Sequence, residues 1–424
     1  MLGAMAAAPA DLGDGLVLRT GRPGDEDAIV EHVAAAFSPT AEQRLRARLD
    51  EDGGRGVTRW CTVWDGARLV SSSGLLAHRL AVDGTVLAAG QIEWVVTDPG
   101  YQRRGLVRRQ LAEHHRRARA EGMALTVVDG IPYLYRKLGW GYALDWPAVH
   151  AVPAAPRGRG DDGRAGATTW HDGVAVRPAV AGDETALVAL DDLRPDRGVH
   201  VVRDRARWSW WIGLAGRGPD EDLLLAEARP GRAEGWARVE RDGEATLVLV
   251  RPGPTRTLAA ARALLARARA GAPPGWGVEV VGRPGPWAEV LATEAVPLPY
   301  DHGVQARVVD PVALLTALVP VLDRRLAEAG GDVSGPLDLS LYERTVRLEL
   351  DHDHVVAVGT GPRIEDPFAH GDVGIAPDLL PALVLGRFGA PGLAARADDV
   401  TLGRHTDLVD VLFPARPSDV VTDL

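Results

Sequence analysis

Short apolar runs dominate the first part of the chain. The stretch "RWCTVWDGARLVSSSGLLAHRLAVDGTVLAAGQIEWVV" is cut at Asp65-Gly66 and Asp83-Gly84, dipeptides that favour tight turns between antiparallel strands. It reads as a set of strands, the last one ending at Val95-Val96-Thr97. The pattern then changes period. "GLVRRQLAEHHRRARA" (105–120) reads as a helix starting at a glycine turn. Near the other end, "VDPVALLTALVPVLDRRLAEA" predicts an amphipathic helix. The "PLDLSLYERTVRLELDHDHVVAVG" stretch alternates as antiparallel strands do, and the last part is helix-rich.

Part of the pattern recurs. "LRTGRPGDEDAIV" (18–30) matches "VRPAVAGDETALV" (176–188). Arg19, Gly24, Asp25, Glu26, Ala28 and Val30 return 158 residues later as Arg177, Gly182, Asp183, Glu184, Ala186 and Val188. Each copy reads as strand, polar turn with an Asp near a helix N-cap, then helix. Between them "PRGRGDDGRAGATT" (156–169) has the composition of a linker or long loop. Three units are expected: 1–158, 170–300 and 304–424.

Composition narrows the class. At 424 residues the chain exceeds one ordinary core. The formal charge of -10 and pI of about 5.7 argue against bulk nucleic-acid binding. Cys61 is the single cysteine, so no internal disulfide can form, and a reducing compartment is expected. "MLGAMAAAPADLGDG" has no basic n-region and no sustained apolar core, so it does not read as a signal peptide. No apolar run reaches the ~18 residues of a membrane span. The expectation is a cytoplasmic protein.

The chemistry concentrates at "YQRRGLVRRQ" (101–110). Unpaired N–H groups at a helix start attract anions, Gly105 lets a ligand approach the backbone, and Arg103 and Arg104 add charge. That arrangement suits a pyrophosphate. One helix and one strand later comes "GIPYLYRKLGWGYAL" (130–144).

Together the two pieces resemble the GNAT acetyltransferase superfamily. Its Gln/Arg-x-x-Gly-x-Gly/Ala motif falls on Gln102-Arg103-Arg104-Gly105-Leu106-Val107, and its later Tyr-x-x-x-Gly-aromatic on Tyr135 to Trp140. Val107 departs from the small residue preferred there. The duplication and a C-terminal α+β region are similar to the Eis (enhanced intracellular survival) family, whose second copy has lost the cofactor motif. No such motif occurs between 170 and 300. The fold class implied is α+β: tandem GNAT folds, each a mixed central sheet flanked by helices, plus a sterol carrier protein-like C-terminal domain.

The resemblance implies an acetyl-CoA-dependent N-acetyltransferase. Backbone groups of Val95, Val96 and Thr97 would hold the acetyl and pantetheine arm. Arg103, Arg104, Gly105, Leu106, Val107 and Arg108 would cradle the phosphates. Gly130 and Ile131 count among the cofactor-binding positions. Tyr135 takes the general-acid position, ahead of Tyr133, because it alone has the -x-x-x-Gly-Trp spacing. The carboxylate of Leu424, with Asp423 beside it, takes the general-base position. Amine-rich acceptors are implied (aminoglycosides, polyamines or lysine side chains), as is a homo-oligomer, hexameric in the family. No metal is called for. The alternative is a non-catalytic acyl-CoA- or lipid-binding protein.

Other candidates read as structural. Cys61 sits in an apolar-aromatic strand and reads as core. Asp351-His352-Asp353-His354 reads as a polar hairpin tip rather than a metal site. Trp208, Trp210 and Trp211 read as core of the second copy. His114 and His115 read as solvated.

Overall fold

Asp83 and Gly84, at φ 44° and 85°, close the hairpin between strands Arg68–Val82 and Thr85–Thr97. Left-handed dihedrals at both central turn residues match the strand twist, which is why an Asp-Gly pair stands there. The computed structural model that contains this hairpin describes residues 8–37, 39–52, 58–153, 168–194, 198–216, 220–299, 303–370 and 372–420. The sequence-read loop at 156–169 lies outside them except for its last two residues.

The hairpin is central to a sheet of ten strands among the described residues. Ala10–Gly13, Leu16–Thr20 and Thr58–Asp65 lie on one side of it; Leu125–Val128, Gly303–Val308 and Gly141–Asp145 follow on the other. Val199–Val201 pairs with the turn end of Arg68–Val82, and Ser418–Asp419 pairs in parallel with Val199–Val201.

A second sheet of eight described strands repeats the plan, centred on Glu221–Arg229, Arg232–Asp242, Leu247–Thr255 and Gly277–Val281. The two sheets exchange strands. Val149–Val152, which follows the first half in sequence, pairs with Gly277–Val281 of the second sheet. Gly303–Val308, which follows the second half, inserts between Leu125–Val128 and Gly141–Asp145 of the first. Sheet membership therefore does not follow chain order, and neither sheet is complete without the other half.

The internal repeat recurs bond for bond. Arg19 clasps Asp25 at 2.6 and 2.8 Å, and Arg177 clasps Asp183 at 2.7 and 2.9 Å. The same carboxylates accept from Arg22 N and Val180 N. Asp25 and Asp183 stand at the N-cap positions of helices Glu26–Ala36 and Glu184–Asp191, but neither makes a side-chain cap bond. Their carboxylates serve the strand's arginine instead, because bidentate charged bonds outweigh a single cap.

The remaining chain builds a five-stranded sheet, ordered His354–Thr360, Thr345–Asp351, Gly335–Ser340, Val373–Ile375 and Val400–Thr401. Helix Pro311–Ala329 packs with it, capped by Asp310, which accepts from Val312 N and Ala313 N. One core joins this region to a face of the first sheet, with Leu80, Leu87 and Val127 meeting Leu314, Leu318 and Leu383. The opposite face carries helices Glu26–Ala36 and Leu106–Ala120. Residues 351–354 are the tip of the hairpin Asp351↔His354. Among the described residues, no helix is long and apolar enough to cross a membrane.

Candidate active site

Strands Thr85–Thr97 and Leu125–Val128 run parallel and pair only at Ala89↔Leu125, Gly90↔Thr126 and Gln91↔Val127. Beyond Gln91 they part. A bulge accompanies the parting: Trp94 has φ 52°, and the register against Arg68–Val82 slips between Ser72 and Gly74. Such a bulge bends one strand away from its neighbour. The opening is a cleft of about 490 Å³. Val95, Gly130, Ile131 and Tyr135, four of the sequence-read positions, line it.

Past the bulge the strand rejoins Arg68–Val82 through Val96↔Ser72 and Thr97↔Ser71. Ser71 Oγ donates to Val96 O at 2.9 Å and lies 2.8 Å from Thr97 Oγ1. Val96 and Thr97 thus anchor the end of the strand without lining the cleft.

Tyr135 is buried, and its ring meets Trp140 edge-on at 6.2 Å. The short turn Arg136–Leu138 lies between them, and Gly139 at φ 90° ends it. Leu138 N and Trp140 N both donate to Tyr135 O. The Tyr-x-x-x-Gly-Trp spacing is therefore one closed turn whose ends stack. Burial, with Asp129 nearby, pushes the Tyr135 phenol up to about 12. It stays a protonated donor. Tyr133, by contrast, is 63% exposed and carries Lys137 Nζ over its ring at 4.2 Å.

The second sequence-read element follows the same strand. Arg103 and Gly105 have φ 63° and 75°, and Gly105 caps helix Leu106–Ala120 with no side-chain bond to its first N–H groups. Nothing stands within 4 Å of the Cβ position of Gly105. Arg103, Arg104 and Arg108 are exposed. Arg104 lies over the Tyr101 ring at 5.0 Å and donates to Gly100 O at 3.3 Å. Leu106 is buried and Val107 packs against the core with Leu111 and Tyr135, so they hold the helix to the sheet. These residues sit at the strand's end and do not line the cleft.

Four cleft residues had no sequence signal as a group: Phe37, Gln91, Glu93 and Trp94. Phe37 and Trp94 stack edge-on at 5.5 Å. Glu93 is ion-paired with Arg48 and accepts from Gln91 Nε2 at 2.8 Å. The one available clue was Glu93, a lone acid in the apolar run "GQIEWVVT". The structure also brings together Ser72, His32 and Asp98, at 3.2 and 3.1 Å around the imidazole. Ser72 is wholly enclosed, so this trio pins strand to helix and offers no nucleophile to a substrate.

The histidines of helix Leu106–Ala120 differ from the sequence reading. His114 is 1% exposed, not solvated, and lies 2.9 Å from Ser73 Oγ. Burial, with Arg117 nearby, takes it down to about 3, so it is neutral. His115 is half-buried, and burial takes it down to about 4. Cys61 is core, its thiol pushed up to about 12 by burial. Trp208, Trp210 and Trp211 are core as well, and Arg48 lies over Trp210 at 5.4 Å.

The second sheet keeps the frame and closes the opening. Leu247–Thr255 pairs in parallel with Gly277–Val281 through Val250↔Val280. Beyond it the Trp236 indole fills the space where a Cβ of Gly253 would stand, and Trp287 Nε1 donates to Thr255 Oγ1 at 2.8 Å. Helix Leu258–Ala270 is capped by its own Thr257 side chain, which accepts from Ala260 N at 3.2 Å. The helix start that Gly105 leaves open is thus occupied in the second copy.

Ser418–Asp419 carries the tail along the first sheet, and Val420 is buried and borders a small cavity whose wall includes Gln91 and Val127. Leu424 and Asp423 lie outside the described residues.

Residues 17–143 match the family model described as an acetyltransferase (GNAT) domain. No curated protein matches the sequence. Among solved structures, a GCN5-related N-acetyltransferase from Kribbella flavida is similar over 95% of this chain and 98% of its own, at 19% identity and TM-score 0.65. One from Anabaena variabilis is similar over 95% and 98%, at 13% identity and TM-score 0.65. Eis1 from Mycobacterium abscessus is similar over 94% and 98%, at 15% identity and TM-score 0.58. At these identities the likeness is one of fold. The chain is an acyltransferase with a GNAT domain at residues 17–143, in an α+β architecture whose second sheet repeats the plan of the first.

Proposed function

We propose that this GNAT-type acyltransferase moves an acetyl group from acetyl-CoA to a primary amine. The observation that carries the reading is the pairing of an open cleft with an uncapped helix start on one strand, Thr85–Thr97. Parted strands leave backbone groups free to receive an extended pantetheine arm. The helix start, with Arg103, Arg104 and Arg108 around it, offers N–H groups and positive charge to phosphates. Cofactor contacts are assigned to Val95, Val96, Thr97, Gly130, Ile131 and the 103–108 segment.

In this reading the amine attacks the thioester carbon directly. The C–S bond breaks, and the departing thiolate takes a proton from Tyr135 Oη. A phenol held near 12 gives up its proton only as the thiolate's charge develops, late in the transition state. The amine's own proton passes to a base, for which the Leu424 carboxylate is the assigned group. Val420 borders a small cavity whose wall includes the cleft residue Gln91, which supports this assignment. The acceptor class stays within aminoglycoside-, polyamine- and lysine-like amines.

The wider assignments are also proposals. Units 1–158, 170–300 and 304–424 are a catalytic GNAT domain, a degenerate copy and a sterol carrier protein-like domain, as in an Eis-like, cytoplasmic, hexameric enzyme. The open first site beside the closed second supports this division. Thiol release from acetyl-CoA against a panel of polyamines, aminoglycosides and lysine peptides tests the activity. Tight acetyl-CoA binding with no release for any amine would favour a non-catalytic acyl-CoA-binding protein.

A further inference from the structure

Five charged side chains meet where the tail crosses between the two sheets. Asp419 lies 3.0 Å from Arg194 Nε and 2.7 Å from Arg283 Nη2. Arg194 also pairs with Asp191 at 3.2 Å, and Asp191 with Arg203 at 3.0 Å. Arg194 and Arg203 are almost wholly buried. Burial pushes the Asp419 carboxyl up, but Arg283 and Arg194 more than reverse this and hold it well below the usual carboxylate range. None of these groups lines the cleft.

The charge count sets what Asp419 does. Asp419 brings a carboxylate between two guanidiniums, Arg194 and Arg283. Without it, Arg194 would keep the Asp191 carboxylate, while Arg283 would lose the one it pairs with. Uncompensated buried charge is strongly unfavourable, so the cluster draws the tail in. Backbone pairing adds direction, because His200↔Asp419 is a parallel strand pair.

The next residue reaches the site. Val420 is 3% exposed and borders a cavity of about 10 Å³ whose wall includes Gln91 and Val127, the last pair before the strands part. Gln91 in turn holds Glu93, and both line the cleft. The ion cluster and the cavity that Val420 shares with Gln91 are therefore one residue apart on the tail.

We propose that Asp419 is a positioning residue for acyl transfer: clamped by Arg194 and Arg283, it seats Val420 against Gln91 and fixes the Gln91–Glu93 wall of the cleft. This rests on the cleft being the acyl-transfer site. It also gives the second copy a task. Arg283 stands two residues past strand Gly277–Val281, where the first copy has Gly130 two residues past Leu125–Val128. The copy whose own opening is closed uses that position to hold the tail for the other.

The full-length protein tests this with Asp419→Asn, Asp419→Glu and Val420→Ala. The readouts are kcat, KM for the amine, acetyl-CoA affinity by calorimetry, and carboxypeptidase trimming followed by mass spectrometry. Asp419→Asn should lower kcat by about tenfold or more while acetyl-CoA affinity stays within about twofold. Asp419→Glu should recover part of the loss, and Val420→Ala should fall in the same direction by less. Trimming should stop short of Val420 in the parent and run past Ser418 in Asp419→Asn. Unchanged kcat, unchanged trimming, or a parallel loss of acetyl-CoA affinity would overturn the proposal. If Asp419→Asn does not fold, Val420→Ala decides by the same criteria. A parent that neither binds acetyl-CoA nor releases thiol would instead sink the functional reading, and trimming would still report on the clamp.

Discussion

A Cβ on Gly130 would stand 2.1 Å from Cε2 of Tyr135. The ring of the proposed acid occupies the space that any other residue at 130 would need. Glycine and tyrosine are thus one unit, although four residues lie between them. Gly130 also lines the cleft, so the same absence of a side chain keeps the opening clear.

Gly130→Ala should therefore act on Tyr135 rather than on the backbone. The ring must rotate or the Gly130 loop must shift. Turnover should drop about tenfold or more, since displaced catalytic groups lose reactivity steeply. Crystallography or NMR of the Tyr135 ring would check the displacement. Full activity with an unmoved ring would break the link.

Tyr135→Phe keeps the stacking on Trp140 and removes only the proton. Acetyl-CoA affinity should hold and kcat should fall, by about a hundredfold if the phenol is the acid. The phenol is protonated below its pKa, and that pKa is raised to about 12. The parent-to-variant ratio of kcat should thus stay flat from neutral pH to about pH 10. A ratio that decays through pH 8–9, roughly the thiol range, would show that the proton comes from elsewhere.

Replacing both Arg103 and Arg104 with Ala should weaken acetyl-CoA binding by about 2–4 kcal/mol, or roughly 30-fold or more. Both are exposed, so the parent's affinity should also fall with added salt, and the double variant's less so. Calorimetry at two ionic strengths measures this. Equal affinity in a folded double variant would move the phosphate site elsewhere.

Extending the chain past Leu424 by a few residues should suppress turnover while leaving acetyl-CoA binding intact. An N-terminal extension should change neither turnover nor binding. The basis is the proposed role of the Leu424 carboxylate as the base, which an extension would displace without touching the cofactor site. Amidating the terminus isolates its charge. Equal turnover of extended, amidated and native forms would rule out the terminal carboxylate as base.

Asp83 is a stability residue. Its carboxylate accepts from Arg325 Nη2 at 2.7 Å, Arg416 Nε at 3.0 Å and Gly198 N at 2.6 Å. Asp83→Ala should cost about 3–5 kcal/mol, because it leaves buried guanidinium without its counter-charge. Burial pushes the Asp83 carboxyl up, but the bonds from Arg325 and Gly198 more than reverse that, leaving it lowered. A lowered folded-state pKa means that the contribution is present above about pH 4 and is lost as pH falls below it. Denaturant unfolding of parent and variant should thus converge on acidification.

The sequence by itself determined what short-range chemistry controls. Asp-Gly dipeptides placed the hairpin turn at Asp83, because left-handed dihedrals there suit those residues. The strand end at Thr97 and the helix after Gly105 followed from a change of hydrophobic period. The duplicated Arg19/Arg177 and Asp25/Asp183 were visible as letters, although their clasp was read as a helix cap. The Tyr135–Trp140 spacing was readable because the whole turn lies within six consecutive residues.

Tertiary structure decided everything that depends on partners distant in the chain. The exchange of Val149–Val152 and Gly303–Val308 between sheets is invisible to local pattern, since a strand's sequence does not state which edge it will join. Glu93 became a cleft residue only when Arg48 and Gln91 met it. His114 looked solvated on a basic helix but lies on its buried face, where the imidazole meets Ser73. Asp83 is a turn residue by sequence and an ion hub in the fold, since Arg325 and Arg416 come from the far end of the chain. Periodicity reports which side of an element is apolar. Which buried charge meets which is set by the long-range packing that brings the elements together.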